Sequence, residues 1–97
     1  MYAWVLLRYR KPIEEVVKVT DAHRAYLREL KAKGVLVASG PFDPRTGGGL
    51  LVRVSDENAH QELDAIRDGD PFWKTGMAQH ELLLWNPVIG GEDLDRI

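Results

Sequence analysis

The sequence predicts an α+β fold of ferredoxin-like βαββαβ order, with a four-stranded antiparallel sheet and two helices on one of its faces. Three observations predict it. Apolar residues recur at spacings of three and four around residues 13–30 and again around 59–66, which marks two helical faces. Runs rich in branched and aromatic residues occupy 2–10, 35–42, 50–55 and 77–87, which marks four strands. The second and third strands follow one another with only DPRTGGG between them, so each half of the chain carries one helix.

Taken in order, Tyr2 to Arg10 is a strand, and Pro12 fits the first turn of a helix. Ile13, Val16, Val17, Thr20, His23, Leu27 and Leu30 form the apolar stripe of that helix. Gly34 ends it, with Lys31 and Lys33 in the last turn, where the helix dipole favours cations. Thr20-Asp21 also fits the start of a second helix, so residues 12–33 read as one helix or as two. VLVASGPF is the second strand, ending or bulging at Pro41, which has no N–H to give a ladder. LLVRVS is the third. Ser55 to Asn58 begin the second long helix, with Ala59, Leu63 and Ile66 facing inward. MAQHELLLWNP is the fourth strand. The tail GGEDLDRI is acidic and glycine-led, and is expected to fray or pack loosely.

At 97 residues the chain suits one domain, spanning 1–97 with an acidic tail from about 89. A chain this short buries only about two-thirds of its unfolded surface. Its strands also do not alternate cleanly. Trp4-Val5-Leu6-Leu7 and Leu82-Leu83-Leu84-Trp85 are continuous apolar runs, whereas a sheet covered on one face alternates apolar with polar. The second face therefore needs a cover, and a second copy supplies one, so a homodimer packed sheet to sheet is expected. A formal charge of −2 argues against nucleic acid or an anionic membrane as partner. The apolar run at the N-terminus precedes its arginines, the reverse of a signal peptide, and no run approaches the roughly 20 residues that cross a bilayer. With no cysteine, there is neither disulfide nor thiolate nucleophile, and a cytoplasmic location is expected.

Two residues carry the chemical question. His23 lies on the apolar stripe of the first helix, where a ring nitrogen needs a partner. It reads either as a core histidine satisfied by a backbone carbonyl or as an acid–base group. Asp70, in DGDPFWKTG, fits a helix N-cap with Pro71 in the first helical position. A carboxylate has about four acceptor sites, so it can cap a helix and hold an imidazole together. His60 sits in a polar helical turn and reads as solvated. His80 sits between Gln79 and Glu81, and nothing in the sequence fixes its role. There is no phosphate loop, no dinucleotide fingerprint and no spaced metal-ligand set, so neither cofactor nor metal is expected.

YAWVLLRY, DAHRAYLRELKAKG, VASGPF and GDPFWKTG, in this order and at these intervals, make the chain resemble the YCII family of YciI-like proteins over roughly residues 2–88. SGPF also resembles the related DGPF branch, with serine in place of aspartate. The resemblance implies a ferredoxin-like fold that dimerises as an α+β barrel, and a site centred on His23 and Asp70. One enzyme related to the family acts on a chlorinated hydroxylated aromatic, which brings small-molecule chemistry into range. The expected function is therefore an acid–base enzyme of lyase, hydrolase or isomerase type acting on a small organic substrate, cyclic or aromatic ones included. His23 is its acid–base and Asp70 its orienting carboxylate, with Ser39, Phe42, Phe72 and Trp73 as wall residues. The alternative is a non-catalytic dimeric binding or structural module in which the pair is a buried polar staple.

Overall fold

The computed structural model describes residues 1–97. Its elements are β1 (Tyr2–Tyr9), α1 (Ile13–Ala32), β2 (Leu36–Pro41), β3 (Gly47–Arg53), α2 (Ala59–Gly69), a short α3 (Pro71–Lys74), β4 (Ala78–Trp85) and a terminal α4 (Gly91–Asp95). The sheet is antiparallel in the order β2-β3-β1-β4. α1 packs over β2, while α2 and α3 pack over β4.

Residues 13–32 form one unbroken helix. Thr20 starts no second one, because its hydroxyl donates to the Val16 carbonyl one turn back and the side chain is buried. Gly34 adopts φ +78° just beyond the helix, the left-handed geometry that closes a helix C-terminus. α2 begins at Ala59, and its entry is tied by Ser55, whose backbone N–H and hydroxyl both bond the Glu62 carboxylate. β3 begins three residues earlier than its apolar run, at Gly47. Glycine has little strand propensity, but a Cβ at Gly47 would lie 1.8 Å from the Leu7 carbonyl oxygen, so only glycine lets β1 and β3 approach this closely.

Strand parity divides the sheet into two faces. Ala3, Val5, Leu7, Leu50 and Val52 face the helices and form the main core with Val16, Leu27, Leu30, Leu63, Ile66 and Phe72. Burying each large aliphatic side chain contributes about 1.5–3 kcal/mol. On the other face Tyr2, Val37 and Leu51 form a small second cluster, with Trp4 and Leu94 against it. Leu94 belongs to the tail, which docks rather than frays. The Tyr2 hydroxyl donates to Asp95 Oδ1 at 2.6 Å, and the Arg53 guanidinium donates to the carbonyls of Leu94 and Ile97 at 3.1 and 2.8 Å. The tail covers the Tyr2–Val37–Leu51 end of this face. Elsewhere on it Leu83 and Trp85 remain exposed, and Trp85 lies 5.5 Å from Trp4 between ring centres. No helix is long and apolar enough to cross a membrane.

β2 is bulged between Leu36 and Ala38. Cross-strand partners share a face, and the shifted register pairs Ser39 with Leu50. The bulge therefore aims Ser39 at the helix side of the sheet.

Candidate functional site

Asp70 stands between α2 and α3, and its placement follows from local rules. Gly69 precedes it where a Cβ would lie 2.7 Å from the Tyr26 hydroxyl, so the bare residue lets α2 end against α1. Tyr26 locks that junction by donating to the Ile66 carbonyl at 2.7 Å. Burial raises the Tyr26 phenol to about 12, and the nearby Asp70 charge adds to the rise. It therefore remains a neutral donor at any ordinary pH. Pro71 then presets the first helical turn. The Asp70 Oδ1 accepts from the Phe72 N–H at 2.9 Å, the N-cap bond of α3.

The same Oδ1 lies 2.8 Å from Nδ1 of His23, across from α1. Oδ2 is not left free, because it lies 3.0 Å from Nε2 of His80 on β4. The carboxylate thus joins three elements, and its side chain is only 2% exposed. Burial alone raises the Asp70 carboxyl. The hydrogen bonds to His23 and His80, the His23 charge and the Phe72 N–H overcome that and hold it at about 2. An ionised carboxylate only accepts, so both nitrogens facing it carry hydrogen. In its neutral form His23 is therefore the Nδ1–H tautomer, and His80 the Nε2–H tautomer.

The two imidazoles differ in what their other nitrogen meets. Nδ1 of His80 is sealed without a hydrogen-bond partner, in a side chain that is 1% exposed. The edge of Trp73 closes over that ring at 5.5 Å between centres. His23 is 12% exposed, and its Nε2 has no protein partner and is not sealed. The His23 ring stacks on Phe72 at 4.0 Å with only 10° between planes, so a hydrogen bond and a fully buried aromatic together fix its orientation. A proton on His80 Nδ1 would be buried with no acceptor, whereas one on His23 Nε2 reaches open space.

That space is a cavity of about 170 Å³ between α1 and the sheet. Leu7, Leu27, Leu50 and Phe72 supply its apolar walls, and Ser39, Thr20, Tyr9, Arg24 and Arg45 its polar ones. Ser39 and Phe72 are on the wall. Phe42 and Trp73, expected beside them, are not. Phe42 follows the last residue of β2 and lies over Gly49 and Leu6 on the opposite face of the sheet. Trp73 points outward from α3, carrying the Arg67 guanidinium over its ring at 4.8 Å and covering His80. No group of three or more His, Asp or Glu side chains is arranged to hold a metal ion.

His80 is the residue that sequence reading missed. Its neighbours Gln79 and Glu81 left its role open, because adjacent strand residues point to opposite faces. The informative neighbours are two away. Ala78 is buried and Leu82 packs against the core, which puts His80 on the buried face between them.

Comparison with known proteins bears on the fold and the family. No curated protein matches the chain. A solved structure does: the 5-chloro-2-hydroxyhydroquinone dehydrochlorinase of Burkholderia phenoliruptrix AC1100, in complex with 2,5-dihydroxybenzoquinone. It is similar to this chain with a TM-score of 0.74 and 25% identity, over 89% of this chain and 94% of that one. The family model for the YCII-related domain matches residues 2–86, a span that holds the sheet and every residue of the site. The chain belongs to the YCII family.

Proposed function

We propose that the chain is a small-molecule enzyme in which His23 Nε2 transfers a proton, with elimination from a small hydroxylated cyclic substrate as its reaction. The observation that carries this reading is the asymmetry of His23. One ring nitrogen is held by an ionised, buried aspartate, and the other opens on a cavity. A carboxylate behind an imidazole fixes its tautomer and stabilises the imidazolium formed when the ring takes a proton. In the proposed step Nε2 takes a proton from substrate carbon or hydroxyl. The electron pair released forms a new double bond, and a leaving group such as chloride departs with its bonding electrons. The imidazolium then returns the proton to solvent. The similarity to a dehydrochlorinase supports elimination over hydrolysis or isomerisation. The working form is proposed to be a homodimer packed through the sheet face that bears Trp4, Leu83 and Trp85.

A second reading is binding without turnover. It is favoured by the His80 half of the cluster, which is sealed and has the character of a structural staple. One experiment separates the two. Chlorinated hydroxyquinols are incubated with the protein, and chloride release is followed together with deuterium uptake from solvent. The enzyme reading expects turnover that falls by about 10²-fold or more in His23→Gln. Turnover equal in the variant, or saturable binding with no chemistry, leaves the binding module as the account.

A further inference from the structure

The permanently charged groups on the cavity wall are of one sign. Arg24 and Arg45 line it beside His23, and no aspartate or glutamate does. Asp70 lies behind the wall, committed to two imidazoles and a backbone N–H. Neither Arg24 nor Arg45 has a carboxylate within ion-pair distance, although the chain carries more acidic residues than basic ones. Arg45 is also held in place. Its Nε donates to the Tyr9 hydroxyl at 3.3 Å and one terminal nitrogen to the Thr20 hydroxyl at 3.4 Å. Both partners are neutral, so the guanidinium is oriented but its charge is not neutralised. An arginine so placed is suited to a delocalised oxyanion, which it can meet with two parallel N–H bonds.

We propose that the cavity takes a small planar organic anion, one ring bearing a carboxylate or an ionised enol oxygen, with that oxygen on Arg45. This rests on the proposed function and names its substrate class. The size agrees. A cavity of about 150 Å³ accommodates benzene, and this one has about 170 Å³. Leu7, Leu27 and Leu50 supply the apolar surface for such a ring, and His23 sits on the same wall to reach its acidic hydrogen.

The test compares acids with their neutral isosteres. Salicylate, salicylamide and 2,5-dihydroxybenzoquinone are titrated into the protein near neutral pH, with binding read by calorimetry and amide chemical shifts. The proposal expects salicylate to bind at least about tenfold more tightly than salicylamide. Added salt weakens the acid and leaves the amide unchanged. Arg45→Gln abolishes the preference, Arg45→Lys retains part of it, and each variant is checked for a native melting temperature. Tight 2,5-dihydroxybenzoquinone binding with weak salicylate assigns the site to ionised enols, and the reverse to carboxylates. His23→Gln keeps the preference for anions while losing chloride release, so failed turnover with an intact preference sinks only the catalytic reading. Equal affinity for acid and amide, no saturable binding of any of the three, or an Arg45→Gln protein that still prefers the acid overturns the proposal.

Discussion

Asp70 carries three duties: helix cap, acceptor for two imidazoles, and junction of α1, α3 and β4. Replacing it with alanine removes a cap worth about 1 kcal/mol and strands two buried ring N–H groups at about 1–3 kcal/mol each. Asp70→Ala is therefore expected to cost about 3–7 kcal/mol in urea denaturation. Pro71→Ala next to it loses only the preset φ, some tenths to about 1 kcal/mol. A loss at Asp70 no larger than a cap's worth would show that the imidazole bonds contribute nothing. The carboxyl also sets an acid limit. Its folded-state value is lowered from 3.8 to about 2, so the unfolded chain binds the proton more readily. The resulting stability is fully present above the unfolded value and is lost as pH falls through the folded one. It amounts to about 2–3 kcal/mol, disappearing between roughly pH 5 and pH 1. Asp70→Asn should flatten that part of a stability–pH curve, and an unchanged curve would remove the aspartate as its cause. The cap was legible because Asp-Pro before an aromatic pair has one local meaning. His80 was not, since a strand histidine's burial depends on which parity the sheet covers.

Among the elements, the order β-α-β-β-α-β was readable because the helices repeat apolar residues at three and four and the strands are branched and aromatic runs bounded by turn residues. The uncertain places were those where tertiary contact decided. Thr20-Asp21 has the composition of a helix start, yet continuous burial of Val16, Thr20, Leu27 and Leu30 against the sheet keeps α1 intact. The first turn of β3 is glycine, invisible to strand propensity, and is set by its close pairing with β1. The acidic, glycine-led tail was expected to fray or pack loosely, but Arg53 and Tyr2 offer it specific partners. The junction of α2 with α1 yields a further prediction. Gly69→Ala drives a methyl group into the Tyr26 ring, with atoms at 2.7 to 3.0 Å. The expected cost is about 1–3 kcal/mol, accompanied by a displaced Asp70 and lower activity. A stable variant with normal activity would mean that the junction has slack.

For the assembled protein, the face opposite the helices now has a defined parity. Trp4, Leu83 and Trp85 lie on it, while α4 occupies the end near Val37 and Leu51. The proposed homodimer therefore meets through the β1–β4 half of the sheet. Sedimentation at micromolar concentration is expected to give a dimer, and Leu83→Glu or Trp85→Glu to shift it toward monomer with the helices intact. A wild-type protein that sediments as a monomer would contradict the proposal and leave the docked tail as the main cover of that face.

The central claim is that one ionised aspartate orients two histidines and leaves a basic nitrogen of only one of them facing the cavity. Long-range nitrogen–proton correlation spectra of the neutral histidine rings test it most directly. The account predicts His23 as the Nδ1–H tautomer with a bare Nε2, and His80 as the Nε2–H tautomer. Asp70→Asn should disturb both signals and leave His60 unchanged. A His23 ring protonated at Nε2 with a bare Nδ1, or a His23 signal indifferent to Asp70, would contradict it.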